Sequence, residues 1–334
     1  MVSLNDYDRQ IYREIKDFLP DNIIDSHTHC YLEEHFTSRE SSRGAAWANK
    51  VASQCSAEEL VSSYKAFFPD KTVTPVIFGS TTNIDYGKNN AYVKQEAKKR
   101  GFPYLFNVKP TMSPDELEAA FDGGAAGIKP YLSQAPDYLP EEEIRCFDFL
   151  THEHLAVCNR RKAVVMLHIP RSGRMRDPVN LAQIMEIEQK YPDAKVVLAH
   201  VGRAYAPEDF GDGFKVLAKT ERMLVDFSAN TLDAAIEAAL EAVGPKRVLF
   251  GTDMPIVIMR MRRIVENGTY INVVPPGMYG DIKGIPHMRE AHPEEQLSFF
   301  MYEIILAAKR AMSGASRQDV EDVFYNNAKR VFQC

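Results

Sequence analysis

Ile23-Ile24-Asp25-Ser26-His27-Thr28-His29 is the stretch on which the reading of this chain turns. A short β-branched run ends there in two imidazoles. Side chains two apart on a strand share a face, so both rings are expected on one side of the strand's carboxyl end. Imidazole is the commonest protein ligand for zinc and similar divalent metals. A His-x-His pair alone is a moderate signal. It strengthens when other strands end in metal-competent residues.

Three others do. Val164-Val165-Met166-Leu167-His168, Lys195-Val196-Val197-Leu198-Ala199-His200 and Arg247-Val248-Leu249-Phe250-Gly251-Thr252-Asp253 are apolar runs that close on a histidine or an aspartate. One histidine after an apolar run is usually a hydrogen-bonded core residue. Four such strand ends are hard to produce by chance. Buried His and Asp must be paired or coordinate something, so the members are expected to gather.

Working outward, strand-length apolar runs fall near 22–27, 72–78, 103–108, 125–130, 163–168, 195–200, 222–227 and 247–252. They are nearly continuous in Val, Ile, Leu and Phe, as parallel strands buried on both faces require. Helical segments intervene. Ser56 with Glu59, and Ser113-Pro114-Asp115-Glu116, are capping signals, and Asp177-Pro178 and Thr231 open two further helices. Eight strand–helix units predict an α/β fold, a distorted (β/α)8 TIM barrel in one domain over 1–334. Residues 1–20 add a leading helix and 294–334 carboxyl-terminal helices. Long connections follow the first strand (30–55) and the last (266–293, rich in Gly, Pro and His). Both leave the strand ends where barrels place their active sites.

In such a barrel His27, His29, His168 and Asp253 converge. Three imidazoles and a carboxylate suit one divalent metal, zinc first, with manganese or iron as alternatives. Such a metal acidifies water. Asp253 serves as ligand and proton acceptor in turn. His200, on the neighbouring strand, stands beside that water as a catalytic group. Asp25 shares strand parity with the histidine pair and is expected to hold an imidazole in its tautomer, or else to be a capped core carboxylate.

Asp-x-His-x-His on the first strand, His on the fifth, His-x-Gly on the sixth and Gly-Thr-Asp-x-Pro on the eighth resemble the amidohydrolase superfamily, in its amidohydrolase-related branch. Phe324-Tyr325-Asn326-Asn327-Ala328-Lys329-Arg330-Val331-Phe332 is similar to that branch's closing Asn-Ala-x-Arg helix. The resemblance covers nearly the whole chain. It implies a distorted barrel with one divalent metal on the matches to His27, His29, His168 and Asp253, and a catalytic role for His200. It also implies hydrolysis of lactones or amides, hydration, or non-oxidative decarboxylation of aromatic and muconate-type acids.

Lys129 ends the fourth strand in Ala126-Gly127-Ile128-Lys129-Pro130. Three readings stay open for it. In some amidohydrolases a lysine there is carboxylated and bridges a second metal. It is otherwise an ammonium that binds a substrate carboxylate, or a structural ion pair. Arginines crowd the same loops: Arg171, Arg174 and Arg176 after His168, Arg203 after His200, and Arg260, Arg262 and Arg263 after Asp253. Guanidinium forks match carboxylates bidentately, so an anionic substrate is expected, with Arg171 and Arg203 as its first candidates. The alternative for each is a salt-bridged rim. His152 and His154 lie on a helical segment, where residues two apart do not share a face. Cys30 has packing parity, and His287 and His292 sit in the late loop.

The chain has 334 residues, is 45% hydrophobic and carries a formal net charge of -6. That balance gives no general nucleic-acid surface. No apolar stretch approaches the roughly 18–20 residues that span a bilayer. The first residues lack the pattern of a signal peptide, and five scattered cysteines do not suggest a disulfide framework. A cytoplasmic, reduced enzyme is expected, and homo-oligomerisation is left open. The expected function is metal-dependent hydrolysis of a lactone or amide bond in a small carboxylate-bearing compound. Its rivals are a metal-dependent decarboxylase, more weakly a sugar-acid isomerase, and a barrel that binds without catalysis.

Overall fold

The computed structural model describes residues 2–38 and 51–334; the middle of the connection expected at 30–55 lies outside them. Eight parallel strands carry the architecture: β1 Asn22–His29, β2 Thr72–Phe78, β3 Leu105–Asn107, β4 Gly127–Lys129, β5 Val164–Leu167, β6 Lys195–Leu198, β7 Leu224–Asp226 and β8 Val248–Leu249. β1 pairs with β2, and β3 through β8 form one sheet in sequence order. Backbone bonds connect the two groups. Ile77 N–H donates to Pro103 at 3.0 Å, Ser26 N–H to Phe250 at 3.0 Å, Asp253 N–H to His27 at 2.8 Å and His29 N–H to Met254 at 2.8 Å. The fold is α/β with a parallel central sheet, and every strand position read from the sequence is occupied.

Alternation along the strands divides the core. Ile24, Val76, Phe78, Leu105, Val164, Met166, Val197, Leu224 and Leu249 form one buried cluster, which Ala328, Val331 and Phe332 of the last helix adjoin. Ile23, Ile77, Ile128, Val165, Leu167, Val196, Leu198, Val225 and Val248 belong to a larger cluster shared with the helices. This is the period of two expected of strands covered on both sides. The helices begin where their capping residues indicate. Ser56 and Ser113 form capping boxes with Glu59 and Glu116, and Asp177 accepts from Val179 and Asn180. Thr231 is not a cap. That helix starts at Asp233 after an uncapped Leu232, because Asn230 Oδ1 takes the Leu232 N–H instead.

Composition alone suggests an irregular connection over 266–293, and the structure corrects this. β9 Arg262–Glu266, β10 Thr269–Val274 and β11 Met288–Glu290 form a separate sheet in the order β11-β10-β9. Its nucleus is Asn267-Gly268, both at positive φ (48° and 74°), the two-residue turn that matches the twist of antiparallel strands. The leading helix Asp6–Ile15 is tied to the start of this insertion. Arg260 forms an ion pair with the buried Asp8 at 2.6 Å, and Ser298 Oγ donates to the same carboxylate at 2.8 Å.

Gly127 marks the closest approach between β4 and β5. A Cβ there would lie 2.1 Å from the backbone oxygen of Val164. The atoms it would meet are the backbone O and C and the Cβ of Val164, none the end of a flexible side chain, so Gly127→Ala is expected to cost at least about 2 kcal/mol through overpacking. Urea unfolding measures this, and an unchanged midpoint would show that the strands separate freely.

Candidate active site

The register of β1 against β2 shifts between Asp25 and Thr28, which pair with Pro75 and Ile77. This bulge inserts one residue and reverses the alternation. His27 and His29 therefore project together, with ring centroids 5.8 Å apart and both rings edge-on to Phe78. Asp25 goes the other way. Its carboxylate accepts from Tyr64 Oη and Thr252 Oγ1, each at 2.5 Å, and from the N–H groups of Thr252 and His27. It meets no imidazole nitrogen. The shared parity expected from sequence fails because of the bulge, and Asp25 supports His27 only through its backbone. Burial pushes the Asp25 carboxyl up to about 7, against the pull of those donors.

The carboxylate that does hold an imidazole is Asp226, at the end of β7. Its Oδ2 lies 2.9 Å from His27 Nδ1, and its Oδ1 accepts from the N–H groups of His200 and Ser228, both at 2.9 Å, and from Ser228 Oγ. Sequence reasoning missed Asp226, although Met223-Leu224-Val225-Asp226 carries the signal used elsewhere, an apolar run closing on a carboxylate. Burial opposes its ionisation, but the charges and hydrogen bond of the His27 side outweigh that and hold it well below the usual carboxylate range.

These partners fix three tautomers. A carboxylate or a carbonyl only accepts. His27 Nδ1 faces Asp226, His29 Nδ1 faces the Gly79 carbonyl at 2.9 Å, and His200 Nδ1 faces the Ser228 carbonyl at 3.0 Å. Each Nδ1 therefore carries the proton, and each Nε2 keeps its lone pair. The Nε2 atoms of His27 and His29 lie 3.6 and 3.1 Å from Asp253 Oδ1. His27, His200 and Asp253 each offer a ligand atom within 4.8 Å of the others. His168 stands beside this group rather than within it, its ring 5.3 Å from that of His200, with a buried Nδ1 that has no hydrogen-bond partner among the described residues. Burial, helped by Lys129, takes His27 down to about 3, and burial together with Arg203 takes His168 well below its ordinary value. Burial raises Asp253, but the His29 hydrogen bond and the neighbouring histidines win and hold it at about 2. Neutral imidazoles with outward lone pairs around an ionised carboxylate are the protonation states that a divalent cation requires. The residues present therefore fit a metal.

Lys129 is buried with its Nζ 3.2 Å from His27 Nε2. Burial brings it down to about 8, while Asp253 and Asp226 pull the other way. Among the described residues no carboxylate reaches it as an ion pair. The turn after β6 is strained. His200, Val201, Gly202 and Arg203 all have φ between 51° and 63°, a conformation costing roughly 1–2 kcal/mol for each residue bearing a Cβ. Asp226 on the His200 N–H helps to hold it. The turn places His200 beside His27, with ring centroids 4.8 Å apart, and carries Arg203 across to the carbonyls of Ile169 and Pro170 at 3.2 and 2.7 Å.

The other loop arginines separate by partner. Arg171 is bound to Asp177 at 3.0 Å and lies 3.6 Å from Glu143, so its charge is answered within its own loop. Arg174 meets Asp209 at 2.6 Å and Arg262 meets Glu295 at 3.1 Å. His152 and His154 sit on the helix His152–Arg161, with Tyr191 Oη and the Met112 carbonyl as separate partners. Cys30 is buried packing.

A family model described as amidohydrolase matches residues 24–334. No curated protein matches the chain. Solved structures with the same fold include a probable 2-pyrone-4,6-dicarboxylic acid hydrolase from Acinetobacter baumannii with citric acid bound. It is 16% identical with TM-score 0.57, covering 94% of this chain and 100% of that one. An amidohydrolase from Burkholderia multivorans with bound zinc is 12% identical with TM-score 0.59, over 93% and 99%. A 2,6-dihydroxybenzoate decarboxylase complexed with 2,6-dihydroxybenzoate is 13% identical with TM-score 0.56, over 94% and 99%.

Asp226→Asn puts an amide where every neighbour donates, so one donor must face another. The expected loss is about 2–4 kcal/mol of stability, from a buried charged network left partly unpaired, read by chemical denaturation. A variant as stable as the native protein would show that His27 and His200 do not depend on this carboxylate.

Proposed function

This chain belongs to the amidohydrolase family of metal-dependent enzymes, and from that premise we propose that it hydrolyses a lactone or amide bond in a small carboxylate-bearing compound. The observation that carries the proposal is the set of fixed tautomers. His200 is neutral, its Nδ1–H is committed to the Ser228 carbonyl, and its Nε2 is left to accept. An acceptor at that place suits activation of water.

In this reading His27, His29, His168 and Asp253 would hold one divalent ion, zinc first, with manganese or iron as alternatives. When bound, such an ion acidifies water and polarises a carbonyl oxygen. Asp253, its Oδ1 turned toward the histidine nitrogens and held ionised by them, would be the acceptor for the water's proton. His200 Nε2 orients the water. Lys129 as an ammonium and Arg203 hold the substrate's carboxylate. Arg171, already paired with Asp177, contributes through the loop that it fixes. A carboxylated Lys129 would admit a second metal. The scaffold is read as one distorted (β/α)8 barrel domain over 1–334, supported by the backbone bonds from Ile77 to Pro103 and from Ser26 to Phe250. Five free thiols suit a reducing, cytoplasmic setting. An anionic substrate also agrees with the citric acid and dihydroxybenzoate in structures that share the fold.

A decarboxylase of an aromatic or muconate-type acid is the second reading. Lys129 favours it, because a buried ammonium with its pKa near 8 can supply the proton that carbon needs.

Metal-replete protein assayed on lactones, amides and aromatic acids is expected to release acid without bicarbonate. Bicarbonate release would establish the second reading. Elemental analysis of protein purified without chelator is expected to find about one divalent ion per chain, or two with Lys129 carboxylated. Full activity in metal-free protein would sink both readings. His200→Asn is expected to keep most of the metal and lose on the order of a hundredfold in kcat. Metal lost in step with activity would make His200 a ligand.

A further inference from the structure

Most loop arginines are answered by carboxylates, and Arg263 is not. Its Nε donates to Asn272 Oδ1 at 2.9 Å and its Nη1 to the Ala229 carbonyl, both neutral acceptors. Its guanidinium lies 5.0 Å from the ring centre of Tyr205, 4.6 Å from that of Tyr270 and 4.7 Å from that of Phe300. Among the described residues no carboxylate forms an ion pair with it. Burial lowers its pKa. A buried cation without a counter-ion is costly, and three aromatic faces offset only part of that cost.

Its surroundings are rich in donors. The Arg174 guanidinium, ion-paired with Asp209 at 2.6 Å through Nη1, lies 5.3 Å from the same Tyr205 and Tyr270 ring centres, and among the described residues its buried Nε has no acceptor. Asn272 Oδ1 is taken by Arg263, and its buried Nδ2 also has no acceptor among the described residues. His287 stacks on Tyr270 at 4.2 Å, and burial followed by the fields of Arg174, Arg263 and Arg203 lowers its pKa. Among the described residues, two buried donors without acceptors and one cation without a counter-ion suit a ligand that accepts and is negative. The place adjoins the histidine cluster. Tyr205 and Arg263 feel the field of Asp253, and the ring of Tyr131, 4.9 Å from that of His168, feels Asp253, Arg203 and Tyr270.

We propose that Arg263, Arg174 and Asn272 form an anion subsite that takes a second acidic group of the substrate, remote from the reacting carbonyl, with the body of the substrate against Tyr205 and Tyr270. The subsite belongs to the inserted sheet, where Arg263 on β9 pairs in register with Asn272 on β10. It rests on the proposed function in one respect, that the histidine cluster next to it is where the substrate reacts.

The test uses benzene-1,3-dicarboxylate and benzoate as probes, titrated calorimetrically into the metal-replete full chain. The dicarboxylate is expected to bind roughly ten- to a hundredfold tighter than the monocarboxylate, the scale of one charge-assisted contact. Arg263→Met should abolish that preference. Asn272→Asp keeps the side chain's shape and gives Arg263 an internal counter-ion, so it should abolish the preference even if Arg263→Met fails to fold. No preference in the native protein, or a preference that survives Asn272→Asp, overturns the subsite. The two proposals fail separately. Protein without metal or turnover that still prefers the dicarboxylate through Arg263 sinks the hydrolase reading alone, and active protein without the preference sinks only the subsite.

Discussion

The Asp226 carboxylate is the contact on which the site depends. It is fully buried at the end of β7, and it receives the Nδ1–H of His27, the backbone N–H of His200 and both donors of Ser228. One charge thus joins three strands' ends, sets the direction of the His27 imidazole and holds the backbone of His200. The strained left-handed turn from His200 to Arg203 persists because this hydrogen bond and those of Arg203 over-determine it. Strain held in this way is common where side chains must be aimed rather than merely packed.

The site's side chains are buried, so their protonation follows from their contacts. Burial keeps His27, His168 and His200 neutral, while close donors keep Asp226 and Asp253 ionised. Asp25 is buried as deeply, yet burial prevails there and raises its pKa, because its donors are hydroxyls and amides rather than charged or ring groups. The two carboxyls, on β1 and β7, consequently have different work. Asp226 sets imidazole direction, and Asp25 clamps β1 to the turn at Thr252.

Around this centre the arginines divide into structural and available charges. Arg171, Arg260 and Arg262 have carboxylate partners that fasten loops and the leading helix. Arg203 fastens two segments through carbonyls and retains its net charge beside His168. Arg263 retains its charge among aromatic rings. A sequence displays seven such residues alike. Only their partners distinguish a loop tie from a charge awaiting a ligand.

The sequence by itself determined the eight strands, most helix starts, and the residues at four strand ends, because continuous apolar runs and capping side chains act locally and need no distant partner. It also carried the family resemblance that the match over 24–334 established. What lay beyond it depended on contacts between distant segments. The bulge between Asp25 and Thr28 appears only when β1 is laid against β2, and it sent Asp25 to Tyr64 instead of to an imidazole. Asp226 was visible as a strand end, but its role required His27, 199 residues away in sequence, to arrive at 2.9 Å. The sheet hidden in 266–293 was announced by Asn267-Gly268 and masked by charged neighbours and a Gly- and Pro-rich composition. Its consequence, Arg263 set against Tyr205 and Tyr270 with no counter-ion among the described residues, was decided by tertiary structure alone. The physical reason is common to all three. Local pattern fixes which face a side chain prefers, whereas register, burial and the partner at the end of each hydrogen bond are settled only when the strands meet.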